Sequence, residues 1–114
     1  NVIRVRYGAA SFLFTGDLVA EQEKAMLAEG KNPQCTVLKV AHHGSKTSTT
    51  EKFLAAAEPR FAVISVGRDN NFGHPAPEVV ERLQKNGIKI YRTDEAGAVV
   101  CRTDGKTLRI ETFR

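Results

Sequence analysis

Hydrophobic and polar positions alternate with a period of two at the start of the chain. Ile3, Val5 and Tyr7 are apolar, and arginines fall between them. This period is typical of a β-strand with one covered face. A Gly-Ala-Ala stretch at residues 8–10 predicts a turn into a second strand over residues 11–15.

The middle of the chain alternates between strand and helix patterns. β-branched and apolar runs predict strands over residues 36–40, 61–66 and 88–91. Helix signals surround these runs. The first predicted helix covers residues 19–29 and ends at Gly30. The second begins at a capping box of Ser48 and Glu51 and ends at Pro59. The third runs from Pro77 to Gly87.

The end of the chain predicts a β-hairpin, with strands over residues 98–103 and 107–113 and a tight Asp104-Gly105 turn. Right-handed crossovers make the three middle strands parallel. The expected fold class is therefore α/β, a mixed sheet with helices on one face. No predicted helix remains for the other face, which we expect to be apolar and in need of a partner layer.

Length and composition fit a single globular domain over residues 1–114. The chain is 41% hydrophobic and 26% charged, and it has no apolar run of the roughly 20 residues that span a bilayer. We expect no signal peptide at its start. Because it begins with Asn rather than Met, we expect it to be a piece of a longer protein. Cys35 and Cys101 have no metal-type spacing, and they predict small core or surface residues rather than a disulfide framework.

Positive charge is concentrated near the end of the chain. Residues 85–114 contain seven bases and four acids, so they carry +3 of the formal net charge of +4. A basic segment suits a polyanion such as nucleic acid. A solvated hairpin face explains the same charges and is the favoured interpretation of the two.

Polar side chains collect after the predicted strands. The segments that follow the strands contain all three histidines, His42, His43 and His74, together with the aspartates Asp17 and Asp94 close to the strand ends. Ligands bind outside the carboxyl ends of the strands in open α/β sheets. We therefore expect a functional site at this edge of the sheet.

Imidazole and carboxylate groups are typical ligands of zinc, manganese and iron. An aspartate such as Asp17 can bridge two metal ions, an arrangement suited to hydrolysis of phosphate esters. The pair His42-His43 at the end of an apolar strand favours a ligand role. Asp17 could equally be a helix N-cap.

Several further groups could contact an anionic oxygen of a substrate: Ser45, Lys46, Arg68, Asn70 and His74. For His74 a role at the entry to the next helix is an equal alternative, and Arg68 and Asn70 could be ordinary polar loop residues. No nucleophile motif of the G-x-S-x-G type and no glycine-rich phosphate loop is present in the sequence.

Four strings together resemble the metallo-β-lactamase superfamily. They are FLFTGD at residues 12–17, VLKVAHHGSKTS at 37–48, ISVG at 64–67 and FGHP at 72–75. More narrowly, the sequence is similar to the C-terminal metallo-hydrolase domain of ComEC-type DNA-internalisation (competence) proteins. The resemblance runs from about Val2 to Thr112.

This resemblance implies an αββα sandwich with a metal site at its edge. Asp17 matches the aspartate that bridges the two metals. His43 matches a late metal-binding histidine and so ranks ahead of His42 as a ligand. His74 matches a histidine near the substrate phosphate, where Lys46 and Arg68 could also steady the charge.

The family's H-x-H-x-D-H cluster is absent from this sequence. The resemblance therefore implies the second half of a metallo-β-lactamase-like domain, whose first half holds the main metal-binding motif. Because a catalytic zinc keeps three protein ligands, we expect this chain alone to bind metal weakly or not at all and to be inactive.

The resemblance implies a metal-dependent phosphodiesterase, a nuclease that acts on DNA during uptake with two zinc or manganese ions. It further implies a soluble domain of a bacterial membrane protein, in contact with the remainder of its own domain. Two alternatives are a non-catalytic basic module that docks DNA or a protein partner, and a hydrolase of another phosphodiester. We also expect self-association through the exposed sheet face.

Overall fold

The structure is a computed structural model that describes residues 2–67 and 73–113. Across these two ranges the chain forms seven strands, four α-helices and one 3₁₀ segment. In chain order they are β1 (Ile3–Tyr7), β2 (Ala10–Phe14), α1 (Ala20–Ala28), β3 (Val37–Lys39), the 3₁₀ segment (Ala41–Gly44), α2 (Glu51–Ala57), β4 (Phe61–Ile64), α3 (Pro77–Lys85), β5 (Lys89–Arg92), α4 (Thr93–Ala96), β6 (Ala98–Thr103) and β7 (Leu108–Phe113).

Strands β1 to β5 form one mixed sheet in sequence order. β1 pairs antiparallel with β2, and the pairs β2–β3, β3–β4 and β4–β5 are parallel. The predicted mixed α/β architecture is confirmed. Its parallel part includes β2 as well as the three middle strands.

The core lies between this sheet and the helices. The register aligns Leu13 with Leu38 and Leu38 with Ala62, so these side chains share one face. Burying one leucine of this kind stabilises the fold by about 1.5–3 kcal/mol. The helices cover that face with buried residues of α2 and α3 and with a partly buried methionine of α1: Phe53, Leu54, Ala57, Val79, Leu83 and Met26.

The opposite sheet face is apolar and only partly covered. Register pairs Ile3 with Phe14 and Val5 with Phe12 on this face, and Ile3 is 58% exposed. The predicted hairpin is present, but β6 and β7 form a separate two-stranded sheet rather than an extension of the large one. Residues of both sheets line a groove of about 520 Å³ between them, including Phe12, Val63, Val99 and Cys101.

The hairpin is attached to the large sheet at its turn. The backbone N–H of Ala9 donates to the Gly105 carbonyl at 2.7 Å. Gly8 has φ +60°, and a Cβ at that position would collide with the Gly105 carbonyl oxygen. A side chain at residue 8 is therefore incompatible with this turn-to-turn contact.

The predicted capping box of Ser48 and Glu51 is wrong. Thr50 is the N-cap of α2, and its Oγ1 accepts from the Phe53 N–H at 3.2 Å. Thr49 has φ +59°, and Ser48 is completely buried, with no hydrogen-bond partner for its hydroxyl among the described residues. The helix start is shifted because the left-handed turn at Thr49 directs Ser48 into the interior.

Helix ends at glycines follow the prediction. Gly30 and Gly87 come directly after the C-caps of α1 and α3, with φ of +76° and +71°. Both cysteines are free, Cys35 buried and Cys101 partly buried, as predicted. In the part of the chain that the structure describes, no helix has the length and hydropathy to cross a membrane.

Candidate functional site

The histidine pair lies in a strained turn directly after β3. His42 has φ 52° and His43 has φ 53°, so both occupy the left-handed region. That conformation costs roughly 1–2 kcal/mol for each non-glycine residue. Such strain persists where the surrounding structure enforces it, and it is frequent at functional sites.

Glycine allows a second segment to approach this turn. Gly44 has φ +85°, and a Cβ there would lie 2.5 Å from the Pro75 Cβ. The Ala76 N–H donates to the Gly44 carbonyl at 2.8 Å. The segment that carries His74 is therefore held against the histidine turn, and the structure brings these predicted site residues to one edge of the sheet.

Asp17 lies next to the histidine turn. The His42 N–H donates to the Gly16 carbonyl at 2.9 Å, which fixes the turn after β2 to the turn after β3. His42 Nδ1 is 3.8 Å from Asp17 Oδ1. The Asp17 side chain is 82% exposed, so its oxygens are accessible to a ligand.

The His43 ring is oriented by the backbone. Its Nδ1 lies 2.5 Å from the Ser65 carbonyl oxygen. A carbonyl oxygen only accepts, so Nδ1 is the donor, and in the neutral ring Nε2 is then the nitrogen with the lone pair. Metal-binding histidines commonly donate their other ring N–H to a carbonyl or carboxylate in this way.

Ser45 and Lys46 follow the turn and differ in their surroundings. Ser45 is buried, and its Oγ lies 2.9 Å from Thr47 Oγ1 and accepts from the Thr47 N–H at 3.3 Å. Lys46 is exposed. Arg68 and Asn70, also predicted to contact substrate, lie outside the described residues.

These donors are of the right kind for a metal ion, but they do not complete a site. Among residues 2–67 and 73–113, no group of three or more His, Cys, Asp or Glu side chains could hold a metal ion together. A catalytic zinc requires three protein ligands. Asp17, His42 and His43 therefore have side chains of a metal-binding kind but do not together hold one ion in the described part of the chain.

Sequence reasoning missed Glu23, which is only 1% exposed. Its Oε2 accepts from the Thr49 N–H at 2.5 Å, and its Oε1 accepts from the N–H and the Oγ1 of Thr50 at 3.0 and 2.9 Å. Arg82 holds the same segment from α3, because Nη1 donates to the Thr49 carbonyl at 2.7 Å. The one available signal in the sequence was that Glu23 lies three residues before Met26. This spacing places both side chains on the same face of α1, the face that packs on the core.

Lys39 and Arg92, the last residues of β3 and β5, have shifted pKa values. Burial lowers the pKa of Lys39, which lines the apolar groove. The hydrogen bonds between Arg92 and Asp94, at 3.0 and 2.7 Å, raise the pKa of Arg92 and lower that of Asp94. Lys39 has no ion pair within the described residues, whereas Arg92 is neutralised locally.

Comparisons with known proteins agree with the motifs. The family model described as "Metallo-beta-lactamase superfamily" matches residues 1–68. The chain is 40% identical over 112 residues to ComE operon protein 3 of Bacillus subtilis, covering 98% of this chain. It is 42% identical to competence protein ComA of Neisseria gonorrhoeae and 41% identical to recombination protein 2 of Haemophilus influenzae, in each case over 86% of this chain.

The similarity to ComEC-type competence proteins that the motifs predicted is confirmed by these matches. All three relatives are much longer than this chain. The chain spans 14%, 14% and 12% of their lengths.

Proposed function

The chain belongs to the metallo-β-lactamase superfamily, and on that premise we propose that it supplies one side of a metal-dependent phosphodiesterase site in a DNA-uptake protein. The activity we propose is that of a nuclease. The observation that supports it most is the His43 ring, held by the Ser65 carbonyl with Nε2 available, at the same edge as Asp17.

Superfamily membership indicates metal ions in general, and we propose zinc or manganese. Asp17 and His43 would hold them, with His42 beside Asp17. Bound ions of this kind activate water and neutralise charge on a phosphoryl group. The remaining ligands would come from the remainder of the domain, and we use "complete domain" for this chain together with that part.

The residues around the turn are suited to an anionic substrate. Lys46 is exposed one residue after the buried Ser45, and the His74 segment contacts Gly44 from the other side. We propose that Lys46 and His74 bind a phosphate oxygen of DNA. The Ser45 hydroxyl pairs with Thr47 inside the loop, and its contact with substrate stays a prediction. For Arg68 and Asn70 the substrate role stays a prediction.

The apolar sheet face supports contact with the remainder of the domain. Ile3, Val5, Tyr7 and Phe14 are all more than 40% exposed on this face. Large contiguous apolar patches on a protein surface mark interaction sites. From the similarity to ComEC-type proteins we also propose that the complete domain belongs to a membrane-associated protein.

The test is cleavage by the complete domain loaded with zinc or manganese. We expect hydrolysis of labelled single-stranded DNA and of bis(p-nitrophenyl) phosphate, lost in Asp17→Asn and in His43→Ala. Glu21→Gln, an exposed acid on α1, is the control and should keep full activity. A complete domain that binds two metals and cleaves neither substrate would overturn the proposal, and cleavage of the small substrate alone would indicate another phosphodiester.

A second candidate is a basic docking module on the hairpin. Arg102 and Arg109 are directly opposite each other in the β6–β7 register. Like charges in that position repel, and only Arg102 has an ion pair in the described chain, with Glu111 at 3.2 Å. A bound polyanion would relieve the repulsion.

Salt dependence tests the docking candidate. When a protein binds a DNA duplex through its phosphates, the logarithm of the binding constant falls linearly with the logarithm of the salt concentration. The slope is set by the number of phosphate contacts. Arg109→Ala should reduce both the affinity and the slope, and Arg102→Ala should do the same. Unchanged affinity in both variants removes the basis of this candidate.

A further inference from the structure

Glu23 is a buried acid that the proposed chemistry does not use. It lies in α1, six residues after Asp17, and contacts the segment that follows the histidine turn. We propose that Glu23 is a positioning residue that sets the relative placement of Asp17 and the histidine pair. This inference rests on the proposed metal site.

The carboxylate occupies an anion site built from the backbone. Successive peptide N–H groups that point to one centre form a concave anion-binding site. A residue in the left-handed conformation gives neighbouring N–H groups this common direction. Thr49 has φ +59°, and the N–H groups of Thr49 and Thr50 both donate to Glu23. The site is therefore filled by a side chain of the same protein.

Within the described chain, the three hydrogen bonds to the Glu23 carboxylate all come from donors of one segment. The Thr50 hydroxyl is shared, since Oγ1 donates to Glu23 Oε1 and accepts from the Phe53 N–H that begins α2. Glu23 has no ion pair within 4.0 Å in the described chain, so its charge is balanced by these dipoles. A neutral replacement cannot reproduce the arrangement.

The two segments that Glu23 joins are the two that carry the candidate ligands. Asp17 precedes α1, and the histidine pair precedes Thr49 in the 41–50 segment. The same segments also meet at the Ala20 N–H, which donates to the Thr47 carbonyl at 2.9 Å, and at the His42 N–H, which donates to the Gly16 carbonyl. Of these three links, only the one at Glu23 involves side chains.

Glu23→Gln in the complete domain tests the inference. The amide NH₂ would face a backbone N–H, so one hydrogen bond must break. We expect zinc affinity, measured by competition with a chromophoric chelator, to fall at least about tenfold, the effect typical of residues that orient metal ligands. Glu21→Gln removes the same charge from the exposed side of α1 and should leave the affinity unchanged.

A second control separates positioning from loss of stability. Ile88→Ala removes buried volume directly before β5, at the opposite end of the sheet from the histidine turn. It should lower the thermal midpoint without changing zinc affinity at temperatures where the domain is folded. Equal loss of affinity in Ile88→Ala and Glu23→Gln would overturn the inference, as would wild-type affinity in Glu23→Gln.

A metal-independent measurement distinguishes failure of this inference from failure of the proposed function. If the wild-type complete domain binds no zinc, the metal site is wrong. The inference is then judged on the 114-residue chain by NMR. Glu23→Gln should shift the ring resonances of His42 and His43 and speed amide exchange at Thr49 and Thr50, whereas unchanged histidine rings would refute the positioning role.

Discussion

The His43 ring on the turn after β3 is held by the backbone carbonyl of Ser65, 2.5 Å from Nδ1, in the segment directly after β4. The two strands are parallel neighbours. The sheet itself therefore orients the imidazole, and no acidic side chain among the described residues is paired with it. His42, by contrast, contacts Asp17 at 3.8 Å.

This difference predicts unequal effects of the two histidines on metal binding. His43→Ala should weaken zinc binding by the complete domain by more than about tenfold, because it removes an oriented ligand. His42→Ala should have a smaller effect. Equilibrium dialysis with zinc measures both, and a larger loss in His42→Ala would reverse the assignment.

Gly8 should be needed for attachment of the hairpin. Gly8→Ala places a Cβ against the Gly105 carbonyl at φ +60°, and we expect a loss of about 2 kcal/mol in the free energy of unfolding. Gly30→Ala is the matched control, since Gly30 has φ +76° and open space around it. It should lose only about 1 kcal/mol. Equal losses in urea unfolding would show that the turn contact contributes nothing.

The pair of Arg92 and Asp94 predicts a pH dependence of stability. The Arg92 hydrogen bonds hold the pKa of Asp94 below its usual value, so near pH 4 the unfolded chain binds more protons than the native one. The ion pair contributes about 1 kcal/mol to the free energy of unfolding. This contribution is complete above the usual pKa of an aspartate and is lost as the pH falls through the lowered pKa of Asp94 in the native state. Asp94→Asn should therefore be less stable than wild type at pH 7 and converge with it in acid.

The control for this pH dependence is Glu81→Gln, an exposed acid on α3 with no ion pair in the described chain. Its stability difference from wild type should not change between pH 7 and pH 3. If the Asp94→Asn difference is equally flat with pH in chemical denaturation, the ion pair makes no contribution to folding.

The two thiols should differ in reactivity. Burial raises the pKa of Cys35 to about 12, and burial also raises that of Cys101, which is partly exposed on the apolar groove. Because the thiolate is the reactive form, iodoacetamide at pH 8 should modify Cys101 first and Cys35 only after unfolding. Mass spectrometry of the alkylated chain measures the order, and modification of Cys35 in the folded chain would contradict the burial.

The uncovered sheet face should cause the isolated chain to self-associate. Phe14 is 45% exposed there beside the exposed Ile3, and a shared apolar patch favours a symmetric dimer. Light scattering should show a mass that rises with concentration, and Phe14→Glu should lower it. Lys52→Glu, on an exposed position of α2, is the control. A monomer at high concentration would contradict this expectation.

Much of the fold could be predicted because local signals agreed with tertiary packing. Gly30 and Gly87 end their helices as expected, and the apolar runs correspond to β3, β4 and β5. The cap of α2 could not be predicted, since Ser48 and Thr50 are chemically similar caps. In the structure the cap residue Thr50 and its neighbour Thr49 also contact Glu23, which lies about 26 residues earlier in the chain and is not part of any local signal.

The sequence by itself determined the kinds of side chain available for chemistry and their collection at the carboxyl ends of the strands, because parallel strands bring those ends to one edge. Only the tertiary structure decided which oxygen each histidine ring contacts. His43 and Ser65, like Glu23 and Thr49, are more than 20 residues apart. Contacts at such separations follow from how strands pair and helices pack, which no local pattern of residues encodes.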